Sequence, residues 1–295
     1  MKPLFSPQLP RLPRRPIDAH KNSAGSVCVI GGSYGMAGAA ALAASGAFAA
    51  GAGYVRVVCP REIYPILATL VSSAVFVPLE SPAGSYAPEE IEKALAAANA
   101  CNACVIGPGL GESAEAQQIL VSVLGAVLKP TVVDASALTL PAAKQQLSRA
   151  GGRPWVLTPH PGEAARLLDT TALAVQADRP AAVTGLATAF GCVAVLKGAR
   201  TLVCDGHRLY ENTSGNAGMA KAGSGDVLAG AITALIAQGL DAFDAACLGV
   251  YLHGRAGDKA AQTKGRAVSA SDIAGVLPEV LGDYEGGSFE KGRTP

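Results

Sequence analysis

Charge is what this sequence has least of. Asp, Glu, Lys and Arg make up 16% of its 295 residues, and 24 basic against 23 acidic side chains leave a net charge of +1. So sparse and balanced a set does not build a surface that tracks a phosphate backbone or an anionic bilayer. Nucleic acid and membrane are therefore set aside as partners, leaving small molecules and further copies of the chain. Two phosphate-binding signatures are also missing. There is no Gly-x-x-x-x-Gly-Lys-Ser/Thr, which excludes a P-loop. The glycines of Gly31-Gly-Ser-Tyr-Gly-Met-Ala-Gly38 do not keep the Gly-x-Gly-x-x-Gly spacing, which argues against an ordinary Rossmann dehydrogenase.

The opening MKPLFSPQLPRLPRRP is rich in proline and has no apolar centre, so it does not read as a secretory signal. Residues 1–20 and 283–295 are expected to be irregular tails. The uncharged stretch from Met36 to Tyr54 is nearly long enough to span a bilayer, but it is mostly alanine and glycine and reads as a buried helix. Seven cysteines, at 28, 59, 101, 104, 192, 204 and 247, fall mostly in apolar runs, as small core residues of a cytoplasmic protein do. Cys101-Asn-Ala-Cys104 has no second pair or nearby histidine to complete a zinc site, so it reads as packing at a strand entrance.

What is present is 49% apolar content, spread without a seam, which predicts one domain over residues 1–295. Apolar runs at 27–30, 54–58, 104–106, 131–133, 155–157 and 193–196 alternate with helical patterns near 38–51, 61–70, 88–99, 113–127, 140–149, 161–169, 178–190, 225–238, 242–262 and 270–281. Strands apolar throughout, alternating with helices, predict an α/β three-layer sandwich whose mainly parallel sheet carries helices on both faces. Residues 201–212 predict a hairpin turning at Asp205-Gly206. Ligands of such sheets bind beyond the carboxyl ends of the strands. The unusual loops lie there: 31–38, 107–111, 134–136, 158–163 and 197–201.

The densest signal is Gly215-Asn-Ala-Gly-Met-Ala-Lys-Ala-Gly-Ser-Gly-Asp226, which runs into a buried-helix pattern. Its glycines let backbone N–H groups converge on a phosphate, and the helix start adds a positive dipole end. Asp226 is unwelcome beside phosphate unless it has proton chemistry to perform. As a plain helix-start acid it would contribute only about 0.3–1 kcal/mol. Glu163 sits three residues after His160, the spacing of a capping box with Pro161 at the first helical position. His160 is an unusual cap, and between two prolines it points to ligand contact. Lys197 ends an apolar strand on the ligand edge and reads as a turn residue or as a partner for nucleotide phosphate or ribose. His253, inside a helical pattern, reads as a hydrogen-bonded packing residue.

Taken together the chain resembles the ADP- or ATP-dependent NAD(P)H-hydrate dehydratases of the ribokinase-like superfamily. The resemblance rests on Gly31-Gly-Ser with Gly38-Ala-Ala40, Gly107-Pro-Gly-Leu-Gly111, Asp134-Ala, Thr158-Pro-His-Pro-Gly-Glu163, Lys197-Gly-x-x-Thr201, Asn212-x-x-Gly-Asn216, Met219-Ala220, Gly223-Ser-Gly-Asp226 and Tyr251-Leu-His-Gly254. Gly-x-Gly-Asp alone indicates the superfamily. The His-Pro-Gly-Glu and Gly-Pro-Gly-Leu-Gly segments are more specific. The family often has His-Lys-Gly ahead of the first strand, where this chain has His20-Lys21-Asn22.

The resemblance implies repair of hydrated NADH or NADPH, the S epimer of NADHX or NADPHX. ADP, or ATP, phosphorylates the ring hydroxyl, and elimination then restores the cofactor. It implies Asp226 as base, a hydrate pocket of Ala39, Gly109, Gly111, His160 and Asp226, and nucleotide binding by Lys197, Gly198, Ala199, Arg200, Thr201, Asn216, Gly223, Ser224 and Gly225. It also implies Mg2+ arranged by Glu163 through water, a homotetramer, and cooperation with a separate NAD(P)HX epimerase, since no room is expected upstream for a fused one. Two other readings stay open: a vitamin-precursor kinase such as a hydroxyethylthiazole kinase, and a non-catalytic dinucleotide sensor.

Overall fold

In a computed structural model describing residues 4–5, 9–13, 15, 24–81, 84–149 and 152–286, the apolar runs become strands. They are β1 (Leu4–Phe5), β2 (Ser26–Ile30), β3 (Tyr54–Pro60), β4 (Val75–Leu79), β5 (Ala103–Ile106), β6 (Thr131–Val133), β7 (Trp155–Leu157), β8 (Val193–Leu196), β9 (Leu202–Cys204) and β10 (Arg208–Glu211). One sheet holds them in the order β1-β10-β9-β8-β7-β6-β5-β2-β3-β4. From β4 through β8 every pair is parallel; β9 pairs antiparallel with both β8 and β10.

Strand side chains alternate between the two faces, and each face feeds its own core. Val27, Val29, Val105, Val132, Val156 and Val195 pack under α1 (Ala37–Ala49), α10 (Ser224–Ala237), α11 (Ala242–Lys264) and α12 (Ala270–Glu285). Cys28, Ile30, Cys104, Ile106, Val133 and Leu157 pack under α3 (Pro88–Asn99), α4 (Ala114–Ala126), α6 (Ala143–Arg149), α7 (Pro161–Leu167) and α9 (Arg179–Phe190). The expected three-layer α/β arrangement is what forms. The shorter helices are α2 (Tyr64–Leu70), α5 (Ser136–Thr139) and α8 (Ala172–Ala177).

The alanine and glycine of residues 36–54 have a packing reason. A methyl group at Gly46 would stand 2.3 Å from the Val227 carbonyl oxygen, and one at Gly230 would stand 1.9 Å from that of Ala43. Helices α1 and α10 therefore touch backbone to backbone, which larger side chains forbid. This contact fixes the start of α10 beside the loop that opens α1. No helix among the described residues is long and apolar enough to cross a membrane.

Two tail expectations are corrected. Leu4–Phe5 pairs with β10 instead of lying irregular, and α12 continues through Glu285, so 283–285 are helical, with the Tyr284 hydroxyl donating to the Pro10 carbonyl at 2.8 Å. The other tail positions, 1–3, 6–8, 14, 16–20 and 287–295, lie outside the described residues, as do Lys21 and Asn22. All seven cysteines are free and buried.

Candidate active site

Strand β2 lies between β3 and β5, so the chain leaves it on one side and later returns on the other. Ligand crevices form at such a reversal, between the loops that follow the two strands. Here those loops interlock. The Gly32 N–H donates to the Pro108 carbonyl at 2.8 Å, and the Ser33 hydroxyl to the Gly109 carbonyl at 2.9 Å. Gly109, at φ +62, has no room for a side chain: a methyl would sit 2.6 Å from the Met36 carbonyl oxygen and 2.8 Å from the Ala39 methyl. Gly111 lies against Ser33 and Met36. The predicted Ala39, Gly109 and Gly111 thus share one wall.

Three adjacent strand ends supply the charged floor. Asp134 follows β6, Thr158 follows β7 and Lys197 follows β8, and the three meet across the sheet edge. The Thr158 hydroxyl donates to Asp134 Oδ1 at 2.7 Å, and Lys197 Nζ donates to the same oxygen at 2.7 Å. Glu163 Oε2 lies 3.8 Å from Lys197 Nζ. Burial draws the Lys197 ammonium down, but Asp134 and Glu163 outweigh it and leave it above the ordinary lysine value. Burial raises Glu163, against the pull of Lys197 and of the His160 N–H.

His160 caps α7 with its ring. Nδ1 accepts from the Gly162 N–H at 3.0 Å and the Glu163 N–H at 3.3 Å, while Glu163 Oε2 accepts from the His160 N–H at 2.7 Å. The capping box read from sequence is present, with imidazole in the place of a hydroxyl. Because Nδ1 accepts, the proton of the neutral ring sits on Nε2. The side chain is 58% exposed although Nε2 lies 3.5 Å from Glu163 Oε1, so the ring itself, not its Nε2 edge, is what a ligand meets.

Above this floor stands the start of α10. Gly223 takes φ +88 and has no side chain with which to cap the helix; the Ser224 N–H turns back to the Lys221 carbonyl at 3.3 Å, and the rest of the uncapped first turn suits an anion. A methyl at Gly225 would lie 3.3 Å from Lys197 Nζ, which places the ammonium beside these N–H groups. Asp226 is in the same turn. Burial first, and then the Asp134 carboxylate, push it up to about 7, against the pull of Lys197. A carboxylate that changes protonation near neutrality beside an anion site suits proton removal from an attacking hydroxyl.

A family described as NAD(P)H-hydrate dehydratase matches residues 27–279. The chain belongs to this family. It is 43% identical over 279 residues to a bifunctional NAD(P)H-hydrate repair enzyme of Moorella thermoacetica, covering 93% of this chain and 52% of that one. The chain thus spans about half the length of several curated relatives it matches. It is 42% identical over 265 residues to an ADP-dependent (S)-NAD(P)H-hydrate dehydratase of Neisseria meningitidis, covering 88% and 84%. Among solved structures, a ribokinase-like superfamily protein of Enterococcus faecalis superposes with a TM-score of 0.80 at 29% identity, covering 92% of each chain. The ADP/ATP-dependent NAD(P)H-hydrate dehydratase of Bacillus subtilis, crystallised with ATP/Mg2+, gives 0.78 at 27%, covering 95% and 100%. The fold is ribokinase-like.

Within this dehydratase-family fold, some residues read from sequence are already engaged. Asn216 donates to Asp258 Oδ1 at 2.9 Å and its Oδ1 accepts from the Gly218 N–H at 2.9 Å, so its amide braces the cradle loop. Arg200 pairs with Glu211 and is 72% exposed. The Thr201 hydroxyl closes the 197–201 turn on the Gly198 carbonyl at 2.9 Å. Gly198, at φ +137, packs against the Arg179 guanidinium, which also donates to the Leu196 carbonyl at 3.0 Å. His253 is buried, pushed down to about 4 by burial, and lies with Nε2 3.4 Å from the Ser224 hydroxyl, the packing role expected of it.

Asp134, Thr158 and Arg179 were not foreseen as site residues. Asp134 and Thr158 lie in ligand-edge loops and in motifs that carry the family resemblance, but neither had been given a role of its own. Arg179 carried no signal, because it acts on a strand end 17 residues away.

Proposed function

We propose that the chain dehydrates the S epimer of NADHX or NADPHX to NADH or NADPH, with ADP as phosphoryl donor and AMP and phosphate as products. The observation that carries this reading is Asp226, a carboxylate raised to about 7 in the first turn of a helix whose N-terminus is open to anions. Asp226 takes the proton of the ring hydroxyl, and the freed oxygen attacks the β-phosphoryl group of ADP. The phosphorus–oxygen bond to AMP breaks as the new ester forms. Backbone N–H groups of Gly223, Gly225 and Asp226 hold the charge that develops, with Lys197 beside them, while the Ser224 N–H stays on the Lys221 carbonyl. Phosphate then departs with the carbon–oxygen bond, and the neighbouring ring carbon gives up a proton to restore the double bond. Hydroxide leaves poorly and phosphate leaves well.

Ala39, Gly109, Gly111 and the exposed ring of His160 line the hydrate pocket. Residues 197–201, with Asn216 and the 223–225 turn, receive the nucleotide, Asn216 and Thr201 by shaping its loops. The donor set fits magnesium only in part. Asp134 and Glu163 share Lys197, and no group of three or more His, Cys, Asp or Glu side chains among the described residues is placed to hold a metal ion. That suits an ion held mainly by nucleotide phosphates and water, with Glu163 reached through water. Magnesium, when bound, neutralises phosphate charge.

The free, buried cysteines support a cytoplasmic setting. A homotetramer and a separate epimerase that supplies the S form complete the proposal. The test is to incubate the purified chain with NADPH hydrate, Mg2+ and either ADP or ATP, and to resolve the products. NADPH with one AMP and one phosphate per turnover from ADP is expected. A phosphorylated hydrate that accumulates without elimination would replace this reading with that of a kinase.

A further inference from the structure

Tyr34 is the most exposed large apolar side chain among the described residues, at 92%. It stands at the tip of the loop between β2 and α1, on the rim of the crevice described above. The loop is pinned at its feet. Ser33 bonds the Gly109 carbonyl, Gly32 bonds Pro108, and the Met36 N–H returns to the Ser33 carbonyl at 2.9 Å. Between these anchors Gly32 and Gly35 take φ +81 and +82, and a methyl at Gly35 would meet nothing within 4 Å. An aromatic ring is thus held out in solvent by a short, anchored turn, and no packing among the described residues accounts for it.

We propose that Tyr34 is a binding residue for the adenine of the dinucleotide substrate, its ring stacking on the base at the mouth of the crevice. The inference rests on the dehydratase reading and adds to it. The reacting nicotinamide ring must reach Asp226, half-buried in the first turn of α10, so a side chain that stands in solvent on the rim meets the other end of the ligand. Adenine offers a flat π-face for a phenol ring to cover, and a ring held on a short turn loses little freedom when it stacks. Among the described residues nothing else uses the Tyr34 side chain, so its replacement leaves the folded state intact.

The experiment measures binding by calorimetry for the wild type, Tyr34→Ala and Tyr34→Phe, with NADPH, reduced nicotinamide mononucleotide and ADP as probes. Tyr34→Ala is expected to weaken NADPH about tenfold, the usual scale for loss of one base–aromatic stack, and Tyr34→Phe to stay within about twofold. The mononucleotide, which lacks adenine, and ADP, which binds at the α10 turn, should be unaffected, with the melting temperature unchanged. The proposal is overturned if Tyr34→Ala binds NADPH as the wild type does, if the mononucleotide weakens equally, or if the wild type does not bind NADPH. Binding is read without turnover, so Tyr34-dependent binding of NADPH by a chain that restores no hydrate would count against the dehydratase reading alone.

Discussion

Lys197 and Asp134 meet at 2.7 Å although 63 residues separate them, because β8 and β6 flank β7 in the sheet and both side chains leave at its carboxyl edge. Asp134 is 2% exposed, and its Oδ1 accepts from both this ammonium and the Thr158 hydroxyl. Lys197→Met strands a buried carboxylate. Urea unfolding should show a loss of about 3–5 kcal/mol. Adding Asp134→Asn to Lys197→Met should recover part of that loss, because the stranded charge is gone. Simply additive losses would mean that the pair is not coupled.

The pH dependence follows from Asp226. Its folded value, about 7, lies above its ordinary 3.8, so the native state holds this proton more tightly than the unfolded chain. Between these values ionisation costs the native state, and this group's contribution to stability falls as pH rises. Activity runs the other way, since the base must be ionised: kcat/KM should rise through about pH 7 to a plateau. In Asp134→Asn the acid limb should move to lower pH, because one repelling carboxylate is removed. An unmoved limb would separate Asp134 from the base.

His160 has two tasks that substitution can part. Asparagine also caps helices, so His160→Asn should keep stability within about 0.5 kcal/mol, whereas His160→Ala should lose about 1 kcal/mol. Both remove the exposed imidazole ring and should raise KM for the hydrate. If His160→Asn kept both stability and KM, the ring would be a cap and nothing more.

How far the chain could be read in advance depended on whether a signal was local. Strands β2, β5, β7 and β8 were legible because each carries an apolar run that ends at a glycine or a polar residue, and β3 despite Arg56 because valines surround it. The hairpin at Asp205-Gly206 was legible because Asp205 Oδ1 accepts from the His207 and Arg208 N–H groups at 2.8 and 2.6 Å, a turn written in adjacent residues. Strand β4 went unread because Pro78 interrupts it. A proline is tolerated there because β4 is the edge of the sheet. In the site, the Gly223–Asp226 turn and the His160–Glu163 cap are local and were visible. The Asp134–Lys197 pair is made by strand order, which no spacing in the sequence encodes.

The central claim is that Asp226 removes a proton from a hydroxyl on a hydrated nicotinamide ring. Its most direct test follows the return of reduced-nicotinamide absorbance from NADPH hydrate with saturating ADP and Mg2+, for the wild type and Asp226→Asn side by side, with ADP affinity measured in both. The wild type should restore the absorbance, and Asp226→Asn should do so at least about a hundredfold more slowly with ADP affinity kept. Equal turnover by the two proteins, or no restoration by the wild type with either ADP or ATP, would contradict it.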